Sequence, residues 1–289
     1  MPQTINTNLI SLNSQRNLSS SQSSLATSMQ RLSSGLRVNS AKDDAAGLSI
    51  AERMNTQVRG MAVATRNAND AISLAQTAEG ALGKVGDLFQ RMRELAVQSA
   101  NGTNTGADRT SLNDEFVQLA QEATRTLGGT KFNSQKILAT TNASTFQIGA
   151  NNSTDIDQIT VTAFNWTDQA GISAVLGTDV ITGAQAPAAV ISGTDASGAQ
   201  AAISLIDTAI NAINGQRATY GAVQNRFENV VSNLMQAGEN QAAARARIMD
   251  ADYAAETSNL SRASILQQAG NAMVAQANQL PQQVLALLR

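Results

Sequence analysis

The chain contains no cysteine and no histidine. The first absence excludes disulfides, thiolate nucleophiles and the usual structural zinc sites. The second removes the side chain most used as a general base and as a metal ligand. Most familiar enzyme mechanisms go with them, so no enzyme is expected, no catalytic residue is assigned, and neither a cofactor nor a metal is implied. Aromatic residues make up 3% of the chain and the prolines are three, Pro2, Pro187 and Pro281. Any core must be built from Ala, Leu, Ile, Val and Met, and long stretches are free to run as unbroken helix. The net charge of -2 leaves no basic footprint, so no nucleic-acid partner is expected. No run of about 18 apolar residues occurs, so no membrane insertion is expected either. The first 30 residues carry Arg16 as their one charge and lack the compact apolar core of a cleaved signal peptide. By ordinary export routes, that reads as a cytosolic protein.

What the sequence does have is helical periodicity. Ile5, Leu9, Leu12, Leu18, Leu25, Met29, Leu32 and Leu36 recur mostly at steps of three, four or seven. Ser33 to Ala41, with Gly35 and Asn39, reads as a hinge, and Ser40 with Asp43 as a capping box opening a new helix. A proline-free stretch from about residue 43 to about residue 100 places Val58, Met61, Ala68, Ile72, Ala75, Leu82, Val85, Phe89 and Met92 on one face. Ser111 and Asp114 are expected to cap the next helix, with Leu112, Phe116, Leu119, Ala123 and Leu127 as its stripe, ending at Gly128-Gly129. The period then changes: Thr145 to Ile148 and Gln158 to Ala163 alternate about a turn at Asn151 to Ser153, which predicts a β-hairpin.

Residues 165–200, rich in Gly, Ala, Thr and Asp, read as a surface excursion. Helical spacing returns with Ile203, Ile206, Ile210, Ile213, Tyr220, Phe227, Val231 and Leu234, and Arg217 and Gln224 fill the wider gaps. Gly238 is expected as a joint, and Pro281 as a kink or restart in a last helix carrying Leu266, Met273, Ala277, Leu280, Val284 and Leu287. The fold class predicted is mainly α, a long antiparallel helical bundle or coiled coil with a small β-hairpin region at the tip.

The ends share a further property: no acidic residue precedes Asp43 or follows Glu256. A terminal heptad with two or three large aliphatic residues gains about 3–9 kcal/mol on burial, against roughly 7–14 kcal/mol for ordering its backbone. This predicts ends that are loose in a lone molecule and fold as neighbouring copies cover them. A stable intramolecular coiled coil is the alternative.

Leu32 to Gly47, Arg66 to Asp70, Gln90 to Asn101, Gly221 to Phe227, Ile265 to Gly270 and Ala275 to Gln279, with the final Leu287-Leu288-Arg289, resemble the terminal signatures of bacterial flagellins. The resemblance covers roughly residues 1–165 and 200–289. It implies a structural subunit that polymerises into the flagellar filament for motility. The organisation it implies is an inner-tube helix and linker at 1–42, outer-rod helices at 43–130, a β-hairpin region at 131–170, a short variable surface segment at 171–199, an outer-rod helix at 200–240 and an inner-tube helix at 241–289. Inner-tube packing falls on Leu9, Leu12, Leu25, Leu32, Leu266, Met273, Leu280, Val284 and Leu287.

The resemblance further implies an extracellular place in the filament, reached by type III export without a cleaved signal peptide. The implied partners are many copies of the chain itself, an export chaperone, cap and hook-junction proteins, and the flagellin-sensing Toll-like receptor of hosts. Arg91, Leu95 and Glu115 occupy the positions that match the receptor-binding residues of the family. About 35 residues stand where many flagellins carry whole outer domains, so a large outer domain is not expected.

Other readings are weaker. A hook–filament junction protein shares the terminal helices but not the close matches at residues 32–101 and 221–270. A chemoreceptor-like helical hairpin conflicts with the β-hairpin and the charge-poor ends. Gly83-Lys84 fails as a phosphate loop because Ala78 and Val85 occupy its defining positions. Asp250 and Asp252 fail as a calcium loop because Ala254 and Ala255 follow.

Overall fold

Helices dominate because nothing in most of the chain interrupts them. The computed structural model describes residues 7–162, 164–177 and 188–287, with side chains through Gln279. In chain order the helices are α1 (Leu9–Ser34), α2 (Ala45–Ser99), α3 (Gly106–Gly129), the short α4 (Ala170–Leu176), α5 (Ser197–Met249) and α6 (Tyr253–Leu287). The strands are β1 (Lys131–Phe132), β2 (Gln135–Lys136), β3 (Ser144–Gln147) and β4 (Gln158–Val161). The chain divides into two compact units, Met1–Thr56 with Glu239–Arg289, and Gln57–Gly238.

The helix boundaries follow from capping chemistry and correct four expectations. The first is the start of α2, which is capped by Asp44, whose Oδ1 accepts from the Gly47 N–H at 2.8 Å. The carboxylate of Asp43 is occupied one residue upstream, where it accepts from the backbone N–H groups of Asn39 and Ser40 and from the Ser40 hydroxyl, so Ser40 and Asp43 close a turn and cap nothing. The second is α3, which begins at Gly106, ahead of Ser111. Thr105 and Asp108 form its reciprocal capping box, and the Ser111 hydroxyl donates to the Ala107 carbonyl inside the helix. Replacing Thr105 by alanine is expected to lower stability by about 1 kcal/mol, read as a shift in denaturant midpoint at unchanged slope.

The third concerns Gly238: it is the last residue of the unit Gln57–Gly238, as a joint would be, yet α5 runs through it unbroken, since one glycine costs a helix about 1 kcal/mol, too little to break one of 53 residues. The break comes instead at Asp250–Asp252, where the Asp252 carboxylate accepts from the Ala254 and Ala255 N–H groups and starts α6. The fourth is Pro281, which does not restart a helix: α6 continues through it to Leu287.

Within residues 57–238, α3 and α5 each run antiparallel to α2. Arg91 of α2 meets Glu115 of α3, Arg93 meets Asp207 of α5, and Gln224 of α5 reaches Glu79. Their common core contains Ala68, Ala75, Leu82, Val85, Phe89 and Met92 from α2, Phe116, Ala123 and Leu127 from α3, and Ile206, Ile213, Tyr220 and Phe227 from α5. The α5 contribution recurs every seventh residue, a coiled-coil seam. Arg217 and Gln224 both end at Glu79, a surface pairing beside that seam.

The expected hairpin pairs β3 with β4 antiparallel, Phe146 opposite Ile159. It packs along the flank of the helices, where Phe146 meets Phe227 edge-on and the Gln147 carbonyl accepts from Asn67 of α2. A second, unanticipated hairpin joins β1 to β2 through Asn133 and Ser134, both at positive φ as a tight two-residue turn requires.

The described parts of residues 165–200 are not a surface excursion. Trp166, Ile172, Val175, Leu176 and Ile191 are buried in the same core. The returning strand of chain is pinned by the Ser99 hydroxyl, which donates to the Ile191 carbonyl, and by Asn113, which accepts from the Ile191 N–H. Low periodicity hid this segment because its apolar residues are few and irregularly spaced. Residues 178–187 lie outside the described residues.

Candidate functional site

Two surfaces emerge, one in each unit. In the unit formed by Met1–Thr56 and Glu239–Arg289, α1 and α6 pair antiparallel in a heptad register. On α1 the inward positions are Ser11, Ser14, Leu18, Ser21, Leu25, Ser28 and Leu32, all buried or half-buried. On α6 they are Glu256, Leu260, Ala263, Gln267, Gly270, Val274 and Ala277. The Leu18 side chain sits on Gly270, so large residues of one helix oppose small residues of the other. Polar atoms fix the register: Asn8 Nδ2 donates to the Ala277 carbonyl at 2.7 Å and the Ser11 hydroxyl to Asn278 at 2.7 Å. At the other end the Tyr253 hydroxyl donates to the Leu32 carbonyl at 3.0 Å, and Arg31 faces the buried Glu256 carboxylate at 3.8 Å.

This pairing leaves a second set of large apolar side chains outside. Leu9, Ile10, Leu12 and Met29 on α1, and Ile265, Leu266 and Met273 on α6, are between half and two-thirds exposed. Of the residues expected to pack the inner tube, Leu25 and Leu32 lie on the α1–α6 seam, while Leu9, Leu12, Leu266 and Met273 face solvent. The side chains of Leu280, Val284 and Leu287 lie outside the described residues. The linkers behind the pair are held together by backbone bonds, Arg37 N–H to the Met249 carbonyl and Ala251 N–H to the Gly35 carbonyl. Gly35, at φ +71°, makes the left-handed turn that ends α1.

The second surface is in Gln57–Gly238. Arg91 donates to Glu94 at 2.8 Å and to Glu115 at 2.9 and 3.1 Å, and all three are exposed. The two carboxylates, Glu94 first, raise the Arg91 pKa further above its ordinary value. Leu95, grouped with Arg91 and Glu115 from the sequence, is 1% exposed and belongs to the core. One turn beyond Arg91 on α2, it packs into the core at the edge of this surface.

Two buried groups were missed. Arg109 is buried, with Nε donating to the Ser99 carbonyl at 3.0 Å and Nη2 to the Asn101 carbonyl at 3.4 Å. Glu256 is buried at the α1–α6 seam. For Glu256 the signal was legible, a lone acid at an inward heptad position; for Arg109 there was none.

Several surface carboxylates sit below their ordinary pKa: Asp108 through the Thr105 hydroxyl and N–H, Asp207 through Arg93, Glu122 through Arg125, and Asp43 through the Ser40 and Asn39 N–H groups and the Ser40 hydroxyl. A depressed folded pKa contributes stability that is present above the unfolded value and is lost as pH falls through the folded one. Stability is therefore expected to hold at neutral pH and to decline as pH drops below the ordinary values of 3.8 and 4.5, checked by thermal melts across an acid series. Among the described residues no group of three acidic side chains could hold a metal ion, and no helix is long and apolar enough to cross a membrane.

Two family models match the chain, the bacterial flagellin N-terminal helical region at residues 5–143 and the C-terminal helical region at residues 203–288. A flagellin of Halalkalibacterium halodurans is 46% identical over 286 residues, 99% of each chain. One from Bacillus subtilis is 43% identical over 306 residues, again covering 99% of each chain. A crystal structure of Bacillus cereus flagellin, 33% identical, aligns at a TM-score of 0.48 over 62% of this chain and 94% of its own.

Proposed function

The chain belongs to the bacterial flagellin family, and from that premise we propose that the outward apolar residues of α1 and α6 are the surface through which copies assemble. A flagellin is a structural subunit of the extracellular flagellar filament and not an enzyme. The observation that carries the assembly reading is that the α1–α6 pair uses Leu18, Leu25, Leu32, Leu260 and Val274, interleaved with small and polar residues, for its own seam and leaves Leu9, Ile10, Leu12, Ile265, Leu266 and Met273 outside. Covering each exposed aliphatic side chain contributes on the order of 1 kcal/mol, and a head-to-tail surface of this kind propagates into an open filament. Removing the first or last 30 residues or so is expected to leave Gln57–Gly238 folded and to prevent salt-induced filaments in electron micrographs. Truncated chains that still polymerise refute the reading.

The exposed Arg91–Glu94–Glu115 group is the surface offered to the flagellin-sensing Toll-like receptor. An arginine held between two carboxylates on two helices is preorganised for contact, and arginine is among the residue types enriched at binding hot spots. Replacing Arg91 by aspartate is expected to raise the half-maximal concentration in a receptor reporter assay by about tenfold or more, ~1.4 kcal/mol per decade. An unchanged dose response excludes this face. Export without a cleaved signal peptide, and the chaperone, cap and hook-junction partners, rest on family membership.

A further inference from the structure

We propose that Asn101 is a site of spontaneous backbone-assisted deamidation, selected by the fold over Asn214, which also precedes a glycine. Asn101 and Gly102 lie in the exposed connection between α2 and α3, outside any helix. The reaction needs a nucleophilic Gly102 nitrogen, a polarised side-chain carbonyl and a free leaving nitrogen, and the loop provides all three.

The Gly102 N–H donates to no protein acceptor among the described residues. The carbonyl of the Asn101–Gly102 peptide accepts from Arg109 Nη2 at 3.4 Å and from the Asn104 N–H at 3.3 Å. Both donors withdraw electron density from that amide, one of them a buried cation, and so favour loss of the Gly102 proton. At the electrophile, Asn101 Oδ1 accepts from the Thr103 N–H at 3.5 Å. That donor is aimed where negative charge develops in the tetrahedral intermediate. The Asn101 Nδ2 group has no partner among the described residues.

The chemistry balances with water alone. Hydroxide takes the Gly102 amide proton, the amide nitrogen attacks Asn101 Cγ, and the new C–N bond forms as the Cγ–Nδ2 bond breaks. Nδ2 takes up one proton from water and leaves as ammonia. Water then opens the succinimide at one of its two carbonyls. Opening at Cγ gives aspartate; opening at the main-chain carbonyl gives isoaspartate, with one extra carbon in the backbone. Either product moves or recharges the anchor of buried Arg109. No oxidation state changes.

Asn214 is the internal control. It is equally exposed but lies within α5, where the Gly215 N–H is committed to the helix ladder and the backbone holds that nitrogen away from the side chain. In the purified full-length protein held at mildly alkaline pH, peptide mapping by mass spectrometry is expected to find acid at position 101 in several-fold excess over position 214. In urea the two positions are expected to convert at similar rates. Replacing Gly102 by alanine is expected to suppress conversion at 101 without perturbing the fold, since a Cβ there meets nothing within 4 Å. Conversion at 101 that is no faster than at 214 in the folded protein, or that is slower folded than in urea, overturns the proposal.

Discussion

Replacing Leu12 and Leu266 together by aspartate is expected to abolish filament formation while leaving the helix content of the monomer unchanged. Both side chains are half exposed, at 50% and 51%, and neither lies at an inward position of the α1–α6 pair. In a lone molecule the new carboxylates stand in water and cost little. In a filament each contact must desolvate them or stay open, and an unpaired buried carboxylate costs several kcal/mol. The penalty recurs in every subunit. No native acid precedes Asp43 or follows Glu256, so these carboxylates are the first acids in either charge-poor end. Circular dichroism and sedimentation together decide the outcome, and a double variant that pellets as filaments excludes this surface from assembly. A Leu18→Asp variant is the contrasting case: Leu18 packs on Gly270 within the pair, so it is expected to disturb the monomer as well.

The largest single-residue loss of stability is expected at Phe227. Its side chain is fully buried where α5, α2 and the β3–β4 hairpin share one core, and it meets the Phe146 ring at 5.7 Å and 81°. Truncation to alanine removes the transfer energy of the ring and leaves a cavity, together about 3–5 kcal/mol. Part of that loss is the edge-to-face contact, about 0.5–1.5 kcal/mol. Urea unfolding of the full chain is expected to show an earlier transition for the unit at Gln57–Gly238. Val97, half exposed on α2, is the control, where alanine is expected to change stability by no more than about 0.5 kcal/mol. A shift at Phe227 as small as the control's contradicts the shared core.

Ile206, Ile213, Tyr220 and Phe227 were legible because large apolar groups at sevenfold spacing have one economical use, a helix seam. The β3–β4 hairpin was legible because alternation breaks the helical period. Its seat against Phe227 and Asn67 was not, since a strand pattern names a buried face and not what covers it. The helix starts expected at Ser40 and Ser111 lie elsewhere because several oxygen-bearing residues compete within one turn. Backbone geometry chose Asp44 and Thr105 among them.

The same limit explains Leu95. Four residues on, it lies about 40° around α2 from Arg91, nearly the same face, yet at the edge of the core that is enough to bury Leu95 while Arg91 stays exposed. It also explains the α1–α6 pair. A reading that scores leucines as inside and serines as outside joins Leu9, Leu12, Leu18 and Leu25 into one stripe. The structure separates them, because Ser11, Ser14, Ser21 and Ser28 occupy inward heptad positions opposite a helix that carries Ala263, Gly270 and Ala277.

By itself, then, the sequence determined that this protein is helical, lacks the side chains of common catalysis and carries charge-poor matching ends, because composition and period act through local backbone preference. Only the tertiary structure decided which apolar residues those ends bury and which they present. That choice depends on the small residues of a partner helix more than two hundred positions away, which no local pattern contains.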